Sequence, residues 1–237
     1  METFSPVPFS GFPPQALEFL HDLALNNNRL WFESHKDDYL KYVVSPAQAF
    51  VADFGERLRE VSPGIRYDTS AHGSGSIGRV YRDIRFSKDK SPYNTRLRLF
   101  FWEVGTKRGS GPGYFISMDP QGAVVHAGIH MFARPELELY RELVADSARG
   151  DELADTVLRL REDYDIGGEH FKRVPTGYSP DHPRAELLRY NGLWAKSPRI
   201  GPEAAVTPEL VDIVIHHCRE MSPLHRWLVE LERRLAA

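Results

Sequence analysis

The sequence contains a single cysteine, Cys218, which excludes an intramolecular disulfide and a metal cluster built from several cysteines. No apolar run reaches the roughly 18 residues that a membrane-spanning helix needs. Residues 1–14 lack the basic and apolar regions of a signal peptide, so we expect a cytoplasmic protein. Because the formal net charge is only −3, the chain as a whole has no preference for nucleic acids or membranes, and any affinity for anions must come from local clustering.

Several common catalytic motifs are also missing. The sequence has no Gly-x-x-x-x-Gly-Lys-Ser/Thr loop, no Gly-x-Ser-x-Gly elbow and no His-Glu-x-x-His helix. Residues 73–78 are rich in glycine and serine, but a predicted strand follows them. They therefore lack the helix N-terminus that lets such loops bind phosphate. We interpret them as a mobile loop that could close over the charged segment beginning at Arg79.

The hydrophobic pattern predicts helices on both sides of a central sheet. In residues 95–104, Leu97, Leu99 and Phe101 alternate with Arg98 and Phe100, which is typical of a strand with two different faces. Strands are predicted at 77–84, 95–104, 114–118, 123–130 and 193–200. Helices are predicted at 14–25, 29–42, 46–62, 135–148, 151–164, 184–190 and 207–235, the last kinked or split at 222–223. Short turns between the central strands favour an antiparallel meander of about four or five strands in one α+β domain, residues 1–237.

The densest charge lies between residues 79 and 98, which contain seven cationic side chains and two carboxylates. Such a cluster is costly through self-repulsion unless carboxylates, solvent or a bound anion offset it. Since the planar fork of arginine suits a carboxylate or a phosphate, we predict a site for a small anionic ligand. The residues expected to form it are Arg79, Arg82, Asp83, Arg85, Lys90 and Tyr93. In it, Asp83 would orient an arginine and Tyr93 would supply a hydroxyl group.

Proton transfer, if the protein is an enzyme, has three candidate residues: Asp83, Tyr93 and His182. His182 follows Asp181, whose carboxylate could orient the imidazole, although the same pair is also typical of a turn that starts a helix. No spacing in the sequence assigns a reaction. The sequence therefore leaves open whether the protein is an enzyme.

Histidines and arginines also alternate along the predicted strands. Arg96 and Arg98 share one face of their strand, and His126 and His130 share one face of another. If these faces coincide, the sheet presents a cationic floor bordered by imidazoles. The two histidines are about 13 Å apart along a strand, too far to bind one metal ion directly. We expect no metal and no cofactor.

Two other interpretations of the basic segment stay open. It could belong to a nucleic-acid or protein interaction module that also uses exposed Trp102 and Tyr114. The acidic remainder of the chain argues against a large nucleic-acid footprint. Alternatively, the arginine and aspartate residues could form a purely structural network that fixes a turn, with the function elsewhere.

Three motifs resemble the bacterial family called "domain of unknown function 2461", over most of the chain. The first motif is Asn27, Asn28, Arg29, Trp31 and Phe32. The second is the run Arg-x-x-Arg-Asp-x-Arg-Phe-Ser-Lys-Asp-Lys-x-Pro-Tyr at 79–93. The third is Lys172, Arg173, Pro175, Gly177, Tyr178, Asp181, His182 and Pro183. The resemblance implies a stand-alone bacterial protein of about this length and carries no established activity. Ala127-Gly128 stands where the family usually has two glycines.

Overall fold

The computed structural model describes residues 8–71 and 73–237, in which helices flank an antiparallel sheet. The helices are α1 (Pro14–Leu25), α2 (Arg29–Ser34), α3 (Lys36–Asp38), a π-helical segment (Tyr39–Val44), α4 (Ser45–Val61), α5 (Arg134–Ala145), α6 (Ser147–Leu160), α7 (Ala185–Leu188), α8 (Pro202–Ala205) and α9 (Leu210–Ala236). The strands are β1 (Ile65–Arg66), β2 (Leu97–Glu103), β3 (Gly113–Asp119), β4 (Gly122–Ile129), β5 (Asp165–Glu169) and β6 (Tyr190–Lys196). No helix in the described residues is long and apolar enough to cross a membrane.

The six strands form one sheet in the order β1-β2-β3-β4-β6-β5. The predicted α+β class, with an antiparallel sheet between N-terminal and C-terminal helices, is confirmed. Strands β2, β3 and β4 form the meander that the short turns favoured. The chain then leaves for α5 and α6 and returns through β5 and β6, which add to the edge of β4.

Contacts divide the chain into two compact units. The first unit comprises the described residues up to Phe101, together with Phe115–Val125 and Arg199–His216. The second unit comprises Trp102–Tyr114, His126–Pro198 and His217–Ala237. The single domain inferred for residues 1–237 stays a prediction.

The core of the first unit is rich in aromatic rings. Phe50 and Phe54 of α4 stack at 5.3 Å, and Phe54 meets Phe101 of β2 edge-on at 4.7 Å. Leu97, Leu99 and Phe101 are all buried, as their alternation predicts, because every second side chain of β2 faces this core. In the second unit, Tyr140 of α5 packs between Phe132 and Trp227 of α9.

The predicted strand at 77–84 is wrong. This segment contains only two isolated bridges, Ile77 with Leu99 and Tyr81 with Tyr93. The carboxamide of Asn94 donates to the carbonyl oxygens of residues 79, 80 and 81, and so occupies acceptors that a neighbouring strand would need. Residues 73–76 form a loop, as predicted, but the proposal that residues 73–78 act as a mobile lid is wrong. Ser76, Ile77 and Gly78 are buried, and residues 76 and 78 exchange backbone hydrogen bonds with β2.

Three further boundaries differ from the predictions. The predicted helix 29–42 is divided into α2, α3 and the π-helical segment, which runs directly into α4, so Ser45 has helical backbone angles and does not cap α4. Strand β5 was missed because its central residues, Gly167 and Gly168, have no side chain to give a strand pattern. Helix α9 continues through Pro223, so the split is not observed, and a kink at this point stays a prediction.

Candidate functional site

The first two motifs meet at Tyr93. The carboxamide of Asn27, in the turn between α1 and α2, donates to the Tyr93 carbonyl and accepts from the Tyr93 backbone N–H, both at 3.0 Å. Phe32 of α2 stacks on the Tyr93 ring at 4.2 Å, with the ring planes 22° apart. Asn28 accepts a hydrogen bond from the N–H of Trp31 and so caps α2. These contacts fix the segment that leads into β2 against the N-terminal helices.

Arg82 is the organising cation of the second motif. Its guanidinium donates to the Asp89 carboxylate at 2.5 Å and to the Ser91 carbonyl at 3.1 Å, which closes the loop between them. The Arg82 side chain retains 24% exposure and that of Asp89 61%, so this ion pair faces water. An ion pair in contact with water is weakened by solvent and salt, and a dissolved anion can compete for its cation.

Arg85 and Asp83 form a second pair further out on the loop. Arg85 donates through Nε and Nη2 to the two Asp83 oxygens at 2.9 and 2.6 Å, and both side chains are exposed. Lys90 donates to the Ile84 carbonyl at 2.9 Å. Arg79 is exposed, and its carbonyl accepts from the guanidinium of Arg98.

The two carboxylates of the loop are held in their ionised form. Hydrogen bonds from Arg85 lower the pKa of Asp83 to about 2. Hydrogen bonds from Ser91, followed by Arg82, lower the pKa of Asp89 to about 2. Burial raises the pKa of the Tyr93 hydroxyl, and the residue is only 1% exposed. A general base acts best when its pKa lies near the working pH, so Asp83 and Tyr93 are poorly suited to act as general bases at neutral pH.

A hollow of about 390 Å³ opens beside these residues in the first unit. We call it the arginine hollow; it is lined by Ala24, Asn27, Arg82, Asp89, Ser91, Tyr93, Asn94, Thr95, Arg96 and Arg98. It therefore holds three guanidinium side chains against one carboxylate. Of the residues predicted to form the anion site, Arg82 and Tyr93 line the hollow, whereas Arg79, Asp83, Arg85 and Lys90 do not. Arg96 and Arg98, which we had placed on a separate cationic floor, line it instead.

Arg96, at the edge of the hollow, shares the carboxylate of Asp119 with Arg199. Asp119, at the end of β3, accepts from Arg199 at 2.7 Å, and Arg96 lies 3.5 Å from its other oxygen. The Asp119 side chain is 10% exposed, while that of Arg96 is 61% exposed. Arg96 is thus held loosely at one edge and keeps a wetted guanidinium.

The other residues singled out from sequence are not among those that line the hollow. His182 belongs to the second unit, and its Nδ1 accepts the backbone N–H of Arg184 at 3.0 Å as α7 begins. The strands of Arg98 and His126 are not neighbours, because β3 lies between β2 and β4 in the sheet. The cationic floor bordered by imidazoles stays a prediction. Tyr114 was predicted to be exposed but is 1% exposed, with its ring 4.5 Å from that of His225. In the described residues, no group of three or more His, Cys, Asp and Glu side chains is placed to hold a metal ion.

Two functional candidates were missed in the sequence. Asn27 had been noted only as part of a motif, and nothing in its spacing points to Tyr93. Glu103 and His225 form a hydrogen-bonded pair at 2.8 Å, with side chains 6% and 1% exposed, in the second unit. These two residues are 122 positions apart, so no local pattern could have joined them.

Fold and site together define an α+β protein in which a cation-lined hollow is held between the α1–α2 turn and the segment entering β2. Residues 15–227 match the family described as "Conserved hypothetical protein (DUF2461)". The chain belongs to this family, as its three motifs had indicated. No curated protein matches the sequence.

Proposed function

We propose that the protein binds a small anionic ligand, bearing a phosphate or a carboxylate group, in the arginine hollow. The observation that carries this proposal is the presence of three guanidinium side chains and one carboxylate around a single hollow. Arginine binds both anions through paired hydrogen bonds, and the side chains of Asn27, Ser91 and Thr95 add neutral hydrogen-bonding groups. We therefore keep Arg82 from the residues predicted by sequence to bind the ligand. Arg96 and Arg98 replace the other cations of that prediction.

The ion pairs that already exist do not oppose this proposal. Arg82 and Arg96 each have a carboxylate partner, but their guanidinium groups remain in contact with water. Complete burial of such pairs would have sealed the cations from any ligand. When an anion enters the hollow, an arginine exchanges its exposed carboxylate partner for the ligand. The ligand accepts hydrogen bonds from several donors at once.

We propose binding without a reaction. Hydrogen bonds from Arg85 lower the pKa of Asp83, so this carboxylate stays ionised at neutral pH, and burial raises the pKa of the Tyr93 hydroxyl, so Tyr93 keeps its proton. His182 is not among the residues that line the hollow. A ligand site of this kind needs only shape and charge to select its anion.

Thermal unfolding in sodium phosphate, at constant ionic strength set with potassium chloride, tests the proposal. The melting temperature should rise with phosphate, by about 2–4 °C for each kcal/mol of binding free energy linked to folding. Arg82→Gln and Arg96→Gln should each abolish the rise. Arg85→Gln is the matched control, because Arg85 belongs to the same loop but does not line the hollow, and it should respond like the original protein.

Two outcomes contradict the proposal. One is a melting temperature unchanged by phosphate, sulfate or citrate. The other is equal loss of the rise in Arg85→Gln and Arg96→Gln, which would indicate general screening of the loop. If Arg82→Gln unfolds, Arg96→Gln still decides the matter, because its exposed side chain has only a 3.5 Å contact with Asp119.

A second candidate function is an interaction surface for a nucleic acid or a protein. The observation favouring it is Phe86, which is 95% exposed, with the guanidinium of Arg85 at 5.9 Å from its ring. Since Phe86 contributes nothing to the core, Phe86→Ser should leave stability unchanged and weaken only such an interaction. Binding to nucleic acid should also fall steeply with salt.

A further inference from the structure

Trp194 lies between two glycines in the sheet of the second unit. In the register of β4, β6 and β5, Gly128 and Gly167 are the residues directly opposite Trp194 on either side. Directly opposed residues of antiparallel strands point to the same face. The indole therefore stands on a sheet face where neither neighbouring strand supplies a side chain beside it.

The missing side chain of Gly167 is what makes room for the indole. A Cβ atom on Gly167 would lie 2.0 Å from Cζ2 of Trp194 and 2.3 Å from Cη2, so the six-membered ring lies across the place where that side chain would stand. A Cβ on Gly128 would lie 2.6 Å from Cα of Trp194. One face of the indole thus rests on the sheet, and Trp194 stays half-buried, with part of its surface in water.

Polar groups line one edge of this ring. The next row of the same face is His126, Lys196 and Asp165, which are paired in register across β4, β6 and β5. Lys196 donates to Asp165 at 3.0 Å, and the His126 ring lies 5.4 Å from the indole. Burial, followed by the nearby charge of Lys196, lowers the pKa of His126 to about 4, so its imidazole is neutral at neutral pH.

We propose that this surface, the Trp194 platform (Trp194, His126, Lys196 and Asp165), binds an uncharged sugar ring. A flat, partly wetted indole offers an apolar plane for the C–H face of a pyranose. Lys196 supplies a donor and Asp165 an acceptor side by side, which matches the two roles of adjacent sugar hydroxyls. The charges of this row cancel, so the platform has no surplus cation for a phosphate or for a polyanion. It is separate in residues and in ligand chemistry from the arginine hollow.

Saturation-transfer NMR with the full chain tests the platform, using maltose, cellobiose and N-acetylglucosamine as probes. Saturable binding is expected, with dissociation constants on the order of 1 mM for at least one sugar. Trp194→Ala should weaken it by at least about tenfold. Trp102→Ala is the matched control, a half-buried tryptophan on β2, and should bind as the original protein does.

A second variant keeps the test decisive if Trp194→Ala is poorly folded. Lys196→Met combined with Asp165→Ala removes the edge groups from side chains that are 36% and 73% exposed, and should weaken binding while the melting temperature holds. Three results would overturn the proposal: no sugar binds at concentrations up to about 50 mM, Trp194→Ala binds as well as the original protein, or nucleosides such as adenosine saturate the platform and sugars do not.

Discussion

The side chain of Asn27 makes a pair of backbone hydrogen bonds of the kind that a neighbouring strand makes. Its carboxamide presents one donor and one acceptor to the backbone of Tyr93, the same pair that a neighbouring peptide group would offer. The residue is polar and lies in a run of three asparagines, so sequence alone indicates a turn or a cap. Its partner is 66 positions away, and only the packing of Phe32 on Tyr93 brings the two together.

The charged side chains were easier to predict than their partners. Composition alone identified the cationic segment at 79–98, and Arg82 and Tyr93 do line the hollow. The pairing of Arg82 with Asp89 is local, because a loop closes over seven residues. The approach of Arg96 to Asp119 depends on the antiparallel placement of β3 beside β2, which residue spacing does not specify.

Glu232, near the end of α9, gives a prediction for pH dependence. Burial, together with the charge and a hydrogen bond of Glu136, raises its pKa from 4.5 to about 7. Between about pH 4.5 and 7, the carboxyl group of Glu232 is protonated in the folded chain but ionised in the unfolded chain. Stability should therefore fall as pH rises from 4.5 to about 7 and then stay level. Glu232→Gln removes the ionisation, so it should be more stable than the original protein at about pH 8 but not at about pH 4.

Urea unfolding at both pH values measures this difference. Glu230→Gln serves as the control, since Glu230 lies on the same helix and pairs with Arg234 at 3.1 Å on the surface. It should show no gain at high pH. A stability curve for Glu232→Gln that runs parallel to that of the original protein between the two pH values would show that Glu232 has an ordinary pKa.

Among the helices, the junction between α5 and α6 depends on a buried arginine. Arg184 donates to the last two carbonyl oxygens of α5, at 2.6 Å from Val144 and 3.0 Å from Ala145. It also donates to the carbonyl of Asp146, the residue after α5, at 3.1 Å, and pairs with Asp151. These are the acceptors that a helix C-terminus leaves without partners. A cation there also interacts favourably with the helix dipole.

Gly150, in the first turn of α6, has no side chain and so leaves space for the guanidinium of Arg184. A Cβ at this position would lie 2.2 Å from the Val144 oxygen and 2.4 Å from Nε of Arg184. Helix propensity alone says that Gly150→Ala stabilises by about 1 kcal/mol. We expect the opposite sign, a loss of about 1–3 kcal/mol, because the added methyl group displaces the buried guanidinium.

Guanidinium chloride unfolding measures the sign directly. The comparison variant is Ala148→Gly, exposed in the same helix, which should lose about 1 kcal/mol through propensity alone. A more stable Gly150→Ala would mean that the junction relaxes freely and that Arg184 is not tightly held.

The outcome of strand prediction depended on the side chains that each segment contains. β2 has large alternating side chains on a buried and a half-buried face, and its pattern is visible in isolation. β5 contains Gly167 and Gly168 and forms because β6 supplies a partner and the Trp194 ring covers Gly167. The segment 77–84 has strand-like residues, but Asn94 occupies its carbonyl oxygens.

Considered as a whole, the molecule combines two compact units with one continuous sheet. The division falls inside β2, β3, β4 and α9, each of which has residues in both units. Since a strand cannot lose half of its residues without losing its hydrogen bonds, we propose that residues 1–237 unfold as a single domain.

Calorimetry tests this proposal. We expect one heat-absorption peak whose calorimetric and van't Hoff enthalpies agree. Tryptophan fluorescence, which reports mainly on the second unit through Trp102, Trp194 and Trp227, should give the same midpoint as far-UV circular dichroism. Two peaks, or two midpoints, would show that the units unfold separately.

The sequence by itself determined the α+β class, the family, the alternating core face of β2 and the position of the cationic segment. These are properties of local order, because periodicity and charge density are written in consecutive residues. The tertiary structure decided which arginines share a hollow, which carboxylates two of them meet, and how Gly167 leaves room for the Trp194 ring. Those outcomes depend on strand order and on contacts between residues that are distant in the sequence. The free energies that select these contacts are small, and no short stretch of sequence specifies them.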